Sequence, residues 1–230
     1  PNPFRRFLGS KIGTKIASYE YSNNKRLKFE QKRKKLNKPH VIEYFHQVDD
    51  PYSHLAAQLL RKFKNKYDVQ IKCYVVSQVT DSSIPEPELL QKLSIRDAQN
   101  IAPHYDLLFP NGAQAPSKKW IDLAQTVLVS MNDEKFIDNI FNISTALWDG
   151  DLDTLKRFFK KFVSSDDNEN LIIIDKNNAK RKQLGHYSAA MFYYGNEWYW
   201  GIDRLYHLES RLKELALDIS QKKEVFVAPK

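Results

Sequence analysis

The alternation of hydrophobic and polar positions is clearest after Pro39, where it predicts a strand, a helix and a second strand. Residues 41–45 form a short apolar run that indicates a buried strand. Asp50 suits the N-cap of a helix and Pro51 its first position. Apolar side chains then recur in steps of three and four: Tyr52, Leu55, Ala56, Leu59, Leu60 and Phe63. An alternating strand over residues 69–75 completes a βαβ unit, which implies parallel pairing and a right-handed crossover.

The middle of the chain has the apolar spacing of helices. One or two short helices are predicted over residues 85–102, and residues 103–116 are predicted as a loop. Four clearer helices are expected at residues 120–131, 136–147, 155–162 and about 168–184. Asn132 or Asp133 is suited to start the second of these four, and Gly185 to end the last.

The last part of the pattern predicts two strands and a helix. Strands at residues 190–194 and 197–201 flank a Gly195-Asn196 turn, and Asp203 is suited to cap the final helix. The order of elements is therefore βαβ, a helical block, then ββα. A thioredoxin fold with helices inserted between its two halves has this order, so the predicted class is α/β with a thioredoxin-like fold.

Charge is concentrated in the leading segment. Residues 1–40 contain 12 Lys or Arg and 2 Glu, a net charge of +10, whereas the remainder carries 24 basic and 26 acidic residues, a net charge of −2. Phe4, Phe7, Leu8, Ile12 and Ile16 recur there at helical spacing, and residues 32–35 are all basic. The pattern suits a helix packed on the domain and followed by a solvated charged linker, which we expect because charge runs are usually solvated. The alternative is a contact with nucleic acid or an anionic membrane surface.

Composition excludes several kinds of protein. Cys73 is the single cysteine, so neither an intramolecular disulfide nor a cysteine-based zinc site can form. The histidines show no metal-binding spacing such as HExxH, and we expect no metal site. No apolar run approaches the roughly 20 residues that span a bilayer. The basic N-terminus also lacks the apolar core of a secretory signal, so we expect a cytoplasmic protein without a transmembrane segment.

Two motifs near the ends of the patterned region resemble a known family. Residues 44–56, YFHQVDDPYSHLA, resemble the aromatic strand and Ser-Pro-Tyr-Ser helix start of 2-hydroxychromene-2-carboxylate isomerases and kappa-class glutathione transferases. Residues 197–204, EWYWGIDR, resemble the closing hairpin and Trp-Gly-x-Asp-Arg signature of the same proteins. These families belong to the DsbA-like branch of the thioredoxin superfamily, and the resemblance covers about residues 40–217.

The resemblance implies a division of the chain and the loss of one activity. It implies a basic extension at residues 1–38, a DsbA-like thioredoxin domain at residues 39–217 with a helical insertion at about 85–165, and a tail at residues 218–230. The dithiol members of the family carry cysteines at the positions of Asp50 and Ser53. Neither side chain can perform thiol–disulfide exchange, so we expect no dithiol oxidoreductase activity.

Asp50 and Ser53 are the catalytic candidates that the resemblance implies. Glutathione-using members have a serine at the position of Asp50, which hydrogen-bonds the glutathione sulfur. An aspartate there would occupy the N-terminal donors of the helix and repel a thiolate at neutral pH. Asp50 is therefore either a simple N-cap or a catalytic group such as a general base. Ser53 is either structural or a hydrogen-bond donor to a ligand.

The remaining candidates bind the glutathione that the resemblance implies as cofactor. They are Tyr52, Ala189, Gly201, Ile202, Asp203 and Arg204. The superfamily has a cis-proline before its closing hairpin, where this chain has Ala190. A cis bond before a residue other than proline costs about 3–4 kcal/mol, so we expect a trans bond and an altered pocket floor. Asp203 suits the ammonium group of a γ-glutamyl end, but helix capping would also explain it.

Two classes of function follow. The first is a glutathione-dependent isomerase or transferase that acts on a small, planar, anionic organic substrate. Its pocket would lie between the Asp50–Ser53 helix start, the Ala189–Ala190 segment and residues 201–204. The second is a non-catalytic thioredoxin-like binding module whose basic leader, residues 1–38, contacts a partner such as nucleic acid, an anionic surface, a second domain or another copy. The aromatic residues of the hairpin could stack on a planar ligand, but we expect them to pack in the core.

Overall fold

The computed structural model of the chain describes residues 19–78, 86–163 and 169–219. The four strands in this part are β1 Val41–His46, β2 Gln70–Val75, β3 Met191–Tyr194 and β4 Glu197–Trp200. The same residues contain eight α-helices: α1 Tyr19–Lys35, α2 Pro51–Lys66, α3 Pro87–Ile101, α4 Lys118–Val129, α5 Asp133–Trp148, α6 Leu152–Phe162, α7 Glu169–Gln183 and α8 Leu205–Glu214. Two 3₁₀ turns, Ala102–Tyr105 and Ile202–Arg204, precede the loop after α3 and the start of α8.

The four strands form one sheet in the order β2-β1-β3-β4. β1 pairs with β2 in parallel and with β3 antiparallel, so Tyr44 lies between Cys73 on one side and Phe192 on the other. The parallel β1-α2-β2 unit and the β3-β4-α8 unit confirm the predicted βαβ and ββα halves, and α3 to α7 lie between them in the chain. The fold class predicted from the element order is therefore correct.

The helix boundaries follow local sequence signals closely. Asp50 and Asn132 cap α2 and α5, and each side chain accepts a hydrogen bond from the backbone N–H three residues later. Gly150 has a φ of +71°, in the left-handed region that suits the residue between α5 and α6. The stripe predicted for α2 is buried apart from Tyr52, which is half-buried. The one or two short helices predicted over residues 85–102 are a single helix, α3, continued by a 3₁₀ turn.

One prediction, on the cap of the last helix, is wrong, and another, on the basic leader, is wrong in part. Asp203 does not cap α8, because it lies inside the 3₁₀ turn and Arg204 stands at the N-cap without a side-chain hydrogen bond. The basic run at residues 32–35 is solvated as expected, since Lys32, Lys34 and Lys35 are exposed, but it belongs to α1 and not to a linker. α1 contains neither glycine nor proline and is rich in Lys, Arg and Glu, residues that favour helices. The helix predicted from Phe4 to Ile16 lies outside the described residues.

The chain divides into two compact units, Pro1–His40 with Gly195–Glu197, and Val41–Tyr194 with Trp198–Lys230. In the first unit, Arg26 Nε lies 2.9 Å from a Glu197 carboxylate oxygen and Arg33 pairs with Glu30 at 3.0 Å. The second unit contains most of the sheet, helices α2 to α8 and the hydrophobic core. In the second unit Asp218, where we predict the C-terminal tail to begin, forms an antiparallel bridge with Tyr67.

The hydroxyl of Ser53 connects three elements at the end of the sheet. Ser53 is fully buried in the first turn of α2. Its Oγ accepts the backbone N–H of Gln47, just after β1, at 3.2 Å, and that of Ala190, just before β3, at 3.1 Å. Ala190 is buried and Gln47 is half-buried, so their N–H groups depend on this oxygen as their acceptor. Ser53 thereby fixes where β1, α2 and β3 meet.

A buried ion pair fastens the other end of α2. Lys66 Nζ lies 2.6 Å from Glu209 Oε1 of α8, and both side chains are at most 4% exposed. The hydroxyl of Tyr67 donates to the same carboxylate oxygen. The amide N–H of Ile219 donates to the Lys66 carbonyl at 2.9 Å, so the segment after α8 also contacts this helix end.

Substitution of Ser53 tests the first of these two connections. In Ser53→Ala both backbone N–H groups lose their acceptor, and each buried unpaired group costs about 1–3 kcal/mol. We expect the free energy of unfolding, measured with urea, to fall by at least about 2 kcal/mol. Ser130→Ala, which removes an exposed hydroxyl bonded to Thr126, should cost less than about 0.5 kcal/mol. Equal losses in the two variants would contradict the role of Ser53.

Substitution of Lys66 tests the second connection. Lys66→Ala leaves a buried Glu209 carboxylate that has lost its ammonium partner, and such a loss costs about 3–5 kcal/mol. The matched exposed pair is Lys118 with Asp122, 2.8 Å apart on α4. Lys118→Ala should cost less than about 1 kcal/mol in the same denaturant titration. A small, equal effect of both substitutions would show that the buried pair does not hold α2 and α8 together.

Candidate functional site

A cleft of about 340 Å³ opens where α2 begins, and we call it the Asp50 cleft. The junction between β1 and α2 contributes Asp49, Asp50 and Tyr52 to its wall. α3 contributes Leu90, Gln91 and Ser94, and the segment before β3 contributes Tyr187, Ser188 and Ala189. Trp200 closes the lining from the end of β4. The volume falls within the range of small-molecule sites, at its lower end.

Asp50 is held in place by the start of its own helix. Its Oδ2 accepts the backbone N–H of Ser53 at 2.8 Å, which confirms the predicted N-cap. Burial raises the pKa of Asp50 to about 6, and hydrogen bonds from Ser53 and from the backbone of Tyr52 oppose that rise only in part. A carboxyl group with a pKa near 6 changes its charge close to neutral pH, so it can accept and return a proton there.

Asp49 and Tyr52 lie beside Asp50 in the cleft wall, and the pKa of each is also raised. Burial also raises the pKa of Asp49, which is half-buried in the same wall. The Tyr52 hydroxyl donates to Asp97 Oδ2 at 2.7 Å, and desolvation together with this carboxylate raises the pKa of Tyr52. Among the described residues, no Lys, Arg or His lines the cleft. The charged side chains of the lining are therefore negative, which does not match the anionic substrate expected from the sequence, and the buried Arg181 guanidinium lies behind the wall, where it donates to the Ser188 carbonyl at 3.2 Å.

The segment opposite Asp50 has an unusual backbone. The peptide bonds of the described residues are all trans, including the bond before Ala190, as the sequence predicted. Ala190 has a φ of +53°, a region that costs a residue with a Cβ about 1–2 kcal/mol. Its N–H donates to Ser53 and its carbonyl accepts the N–H of Gly201 at 2.9 Å. These bonds hold the strained residue beneath Ala189, which faces the cleft.

The structure separates the predicted site residues into three groups. Asp50, Tyr52 and Ala189 line the Asp50 cleft, and Ser53 lies buried below it. The glutathione contacts predicted at Gly201, Ile202, Asp203 and Arg204 are not part of its lining. Ile202 is buried, whereas Asp203 and Arg204 are exposed. A Cβ at Gly201 would lie 3.0 Å from Asp203 Oδ1, and the φ of +61° there also requires glycine.

Two histidines near the cleft are enclosed by the core. His46 is fully buried, its Nδ1 lies 2.9 Å from the Tyr44 hydroxyl, and burial lowers its pKa to about 3. His54 Nδ1 lies 2.8 Å from Ser144 Oγ, and burial lowers the pKa of His54 to about 4. Both imidazoles are therefore neutral at physiological pH, and neither lines the cleft.

Sequence reasoning missed several residues of the cleft wall. The hairpin aromatics were expected in the core, and Phe192, Tyr194 and Tyr199 are indeed buried, but Trp200 is 54% exposed. Alternation along β4 places Trp200 on the opposite face from Tyr199, and this pattern was the signal for it. Tyr187 is 60% exposed and precedes β3 in a segment without regular structure, so no periodicity could identify it.

Cys73 and a second cleft are weaker candidates for a functional site than the Asp50 cleft. Burial, and next the charge of Asp133, raise the pKa of the Cys73 thiol, so it is a poor nucleophile on β2. A second cleft of about 480 Å³ lies between residues 110–117 and the end of α5, and Asp149 is its single ionisable residue among those described. No group of three possible metal ligands and no helix able to cross a bilayer occurs in the described ranges.

Several solved structures have a fold similar to that of this chain. The chain is similar to a 2-hydroxychromene-2-carboxylate isomerase at 19% identity and a TM-score of 0.59, covering 76% of this chain and 96% of that one. A putative protein disulfide isomerase from Nitrosomonas europaea matches at 14% identity and a TM-score of 0.53, over 77% and 99% of the two chains. A probable DsbA oxidoreductase from Streptomyces coelicolor matches at 9% identity and a TM-score of 0.53, over 80% and 93%.

No protein-family model and no curated protein matches the sequence of the chain. The structural likeness, at these identities, establishes the fold. The expected architecture is confirmed: the chain has a thioredoxin-like fold similar to those of DsbA-like proteins, with helices inserted between its two halves.

Proposed function

We propose that the chain is an isomerase-type enzyme in which Asp50 moves a proton on a small organic substrate held in the Asp50 cleft. The observation that carries this proposal is the position of Asp50, a desolvated carboxyl group in the cleft wall with a pKa of about 6. The name of one structural relative, 2-hydroxychromene-2-carboxylate isomerase, supports the same reaction class. A cysteine takes no part, since Cys73 lies on β2 and not in the cleft lining.

The chemistry requires a base and a group that stabilises charge. At neutral pH most Asp50 is ionised and can take a proton from a carbon beside a carbonyl group, then return it at another atom. Negative charge develops on the carbonyl oxygen during that transfer. The side-chain amides of Gln47, Gln78 and Gln91 line the same cleft and offer N–H donors to this oxygen. Ser53 acts as a positioning residue beneath them, because it is buried and bonded to two backbone amides.

Glutathione has no part in this proton transfer. Ionised Asp49 and Asp50 would repel a thiolate placed in the Asp50 cleft, and the cleft offers no cationic side chain among the described residues to oppose them. Glutathione binding and a transferase activity stay predictions of the resemblance. The proposed enzyme needs only its substrate, and the activity assay below includes glutathione as a separate condition.

Proton exchange on a panel of small carbonyl compounds tests the proposal. We expect the protein to exchange carbon-bound protons of at least one compound in D₂O faster than buffer does, as followed by ¹H NMR. The rate should rise with pH through a midpoint near 6, because the ionised form of Asp50 is the base. The panel should contain neutral ketones, aminoketones and 2-hydroxychromene-2-carboxylate, each with and without glutathione.

The matched variants are Asp50→Asn and Asp122→Asn. Asparagine caps helices about as well as aspartate, so Asp50→Asn keeps the fold but removes the base. It should lower the exchange rate by at least about 100-fold. Asp122→Asn removes an exposed carboxylate of α4 and should leave the rate unchanged. A rate in Asp50→Asn equal to that of the parent chain, or no exchange above buffer with any compound, would exclude the proposed reaction.

A non-catalytic binding module is the second candidate, and α1 favours it. This helix carries Lys32, Arg33, Lys34 and Lys35 in its last turn and has no apolar face. Most of its lysines are exposed, which suits contact with a polyanion such as nucleic acid better than insertion into a membrane. Salt-dependent binding of nucleic acid that is lost when Lys32, Lys34 and Lys35 are changed to Gln, in a chain with no exchange activity, would favour this candidate.

A further inference from the structure

We infer that the Asp50 cleft selects a small organic cation, with an ammonium group held between the carboxylates and the exposed aromatic rings of its wall. The inference deepens the proposed function, since it names the substrate class for the same cleft, but it concerns binding and not proton transfer. It rests on three observations: the charges in the wall, their poor solvation and the aromatic side chains around them.

The charged side chains that line the cleft, among the described residues, are all acidic. Asp49 and Asp50 line the Asp50 cleft, and Asp97 lies behind the Tyr52 hydroxyl. Among the described residues, no basic side chain lines the cleft, and neither Asp49 nor Asp50 forms an ion pair. An anionic ligand would meet two carboxylates, and the nearby cation, Arg181, is buried behind the lining and hydrogen-bonded to the Ser188 and Ser77 carbonyls. A cation would meet an opposite charge on entering, so charge complementarity favours it.

The carboxylates are also partly desolvated, since Asp49 and Asp50 are both half-buried in the cleft wall. Burial is the main cause that raises the pKa of both Asp49 and Asp50. Their ionised forms have therefore exchanged water for protein surroundings with few charges. A ligand cation seated against them would restore a favourable interaction for the charged state, and the interaction would be stronger than at a solvated surface.

The aromatic lining distinguishes an organic cation from a metal ion. Trp200 and Tyr187 line the cleft and are 54% and 60% exposed, although large aromatic side chains gain most when they are covered. The faces of Trp and Tyr attract ammonium groups, and Trp attracts them most strongly. A metal ion such as Mg²⁺ prefers several oxygen ligands in a strict geometry, and the described residues contain no cluster of three possible ligands. Pro51, Pro87 and Leu90 give the remaining wall an apolar character that suits the carbon part of a ligand.

Paired probes of equal shape separate charge from size. Choline and 3,3-dimethylbutan-1-ol differ mainly in that a quaternary nitrogen replaces a carbon atom. We expect choline to shift the indole N–H signal of Trp200 in ¹H–¹⁵N NMR spectra of the full chain, assigned with Trp200→Leu. Its dissociation constant should be at least about tenfold lower than that of the neutral alcohol. Mg²⁺ and glutathione, titrated separately, should leave that signal in place.

Variants then identify the groups that hold the cation. Asp50→Asn and Trp200→Leu should each weaken choline binding at least about fivefold, as measured by isothermal titration calorimetry because Trp200→Leu lacks the indole signal. Both should stay folded, because asparagine keeps the helix cap and Trp200 is more than half exposed. Asp122→Asn is the control and should bind choline as the parent chain does. Circular dichroism of each variant, compared with the parent chain, confirms that the fold is retained.

The outcomes separate this inference from the proposed function. Equal affinity for choline and its neutral analogue, tighter binding of Mg²⁺ or glutathione, or unchanged choline affinity in Asp50→Asn would each overturn the cation site. Choline binding with no proton exchange on any carbonyl compound would support the cation site and contradict the proposed reaction. Proton exchange that depends on Asp50 but shows no preference for aminoketones would support the reaction and contradict the cation site.

Discussion

The buried hydroxyl of Ser53 is the interaction on which the geometry of the candidate site depends. It holds the N–H groups of Gln47 and Ala190, and so joins the end of β1 to the segment before β3. Ala190 keeps a φ of +53° there, a strained conformation that needs fixed partners on both of its backbone groups. With this frame in place, Asp50 and Ala189 face the same cleft. Ser53, at the position where the dithiol proteins that the sequence resembles carry a cysteine, therefore serves the structure here and not the chemistry.

The pKa of Asp50 depends on its place at the start of α2. As N-cap of α2 it receives the Ser53 N–H, which favours its ionised form, while burial opposes ionisation and has the larger effect on its pKa. The balance leaves the carboxyl close to its titration point at neutral pH. The helix N-terminus that stabilises a thiolate in related folds here stabilises a carboxylate of the protein itself. With Asp50 at the helix start, the fold lacks a dithiol there and still presents an ionisable group in the cleft.

The fold could be predicted from the sequence because its signals are local and agree with one another. The stripe of α2, the Asp50 and Asn132 caps and the Gly195-Asn196 turn all lie where the pattern indicates. The site could be predicted only in part, because its walls come from distant segments. Nothing near Tyr187 in the sequence shows that it shares a cleft with Asp50, and residues 201–204 match a family motif but do not line that cleft. Burial, which raises the pKa of Asp50, likewise arises from tertiary packing.

Burial of Asp50 in this fold leaves a carboxyl group that can exchange a proton near neutral pH. A ¹³C NMR titration of its side-chain carboxyl, assigned by comparison with Asp50→Asn, measures this directly. We expect a midpoint close to 6 for Asp50 in the folded chain. A midpoint near 4 or below, the range of an ordinary solvated or cap-stabilised aspartate, would contradict it.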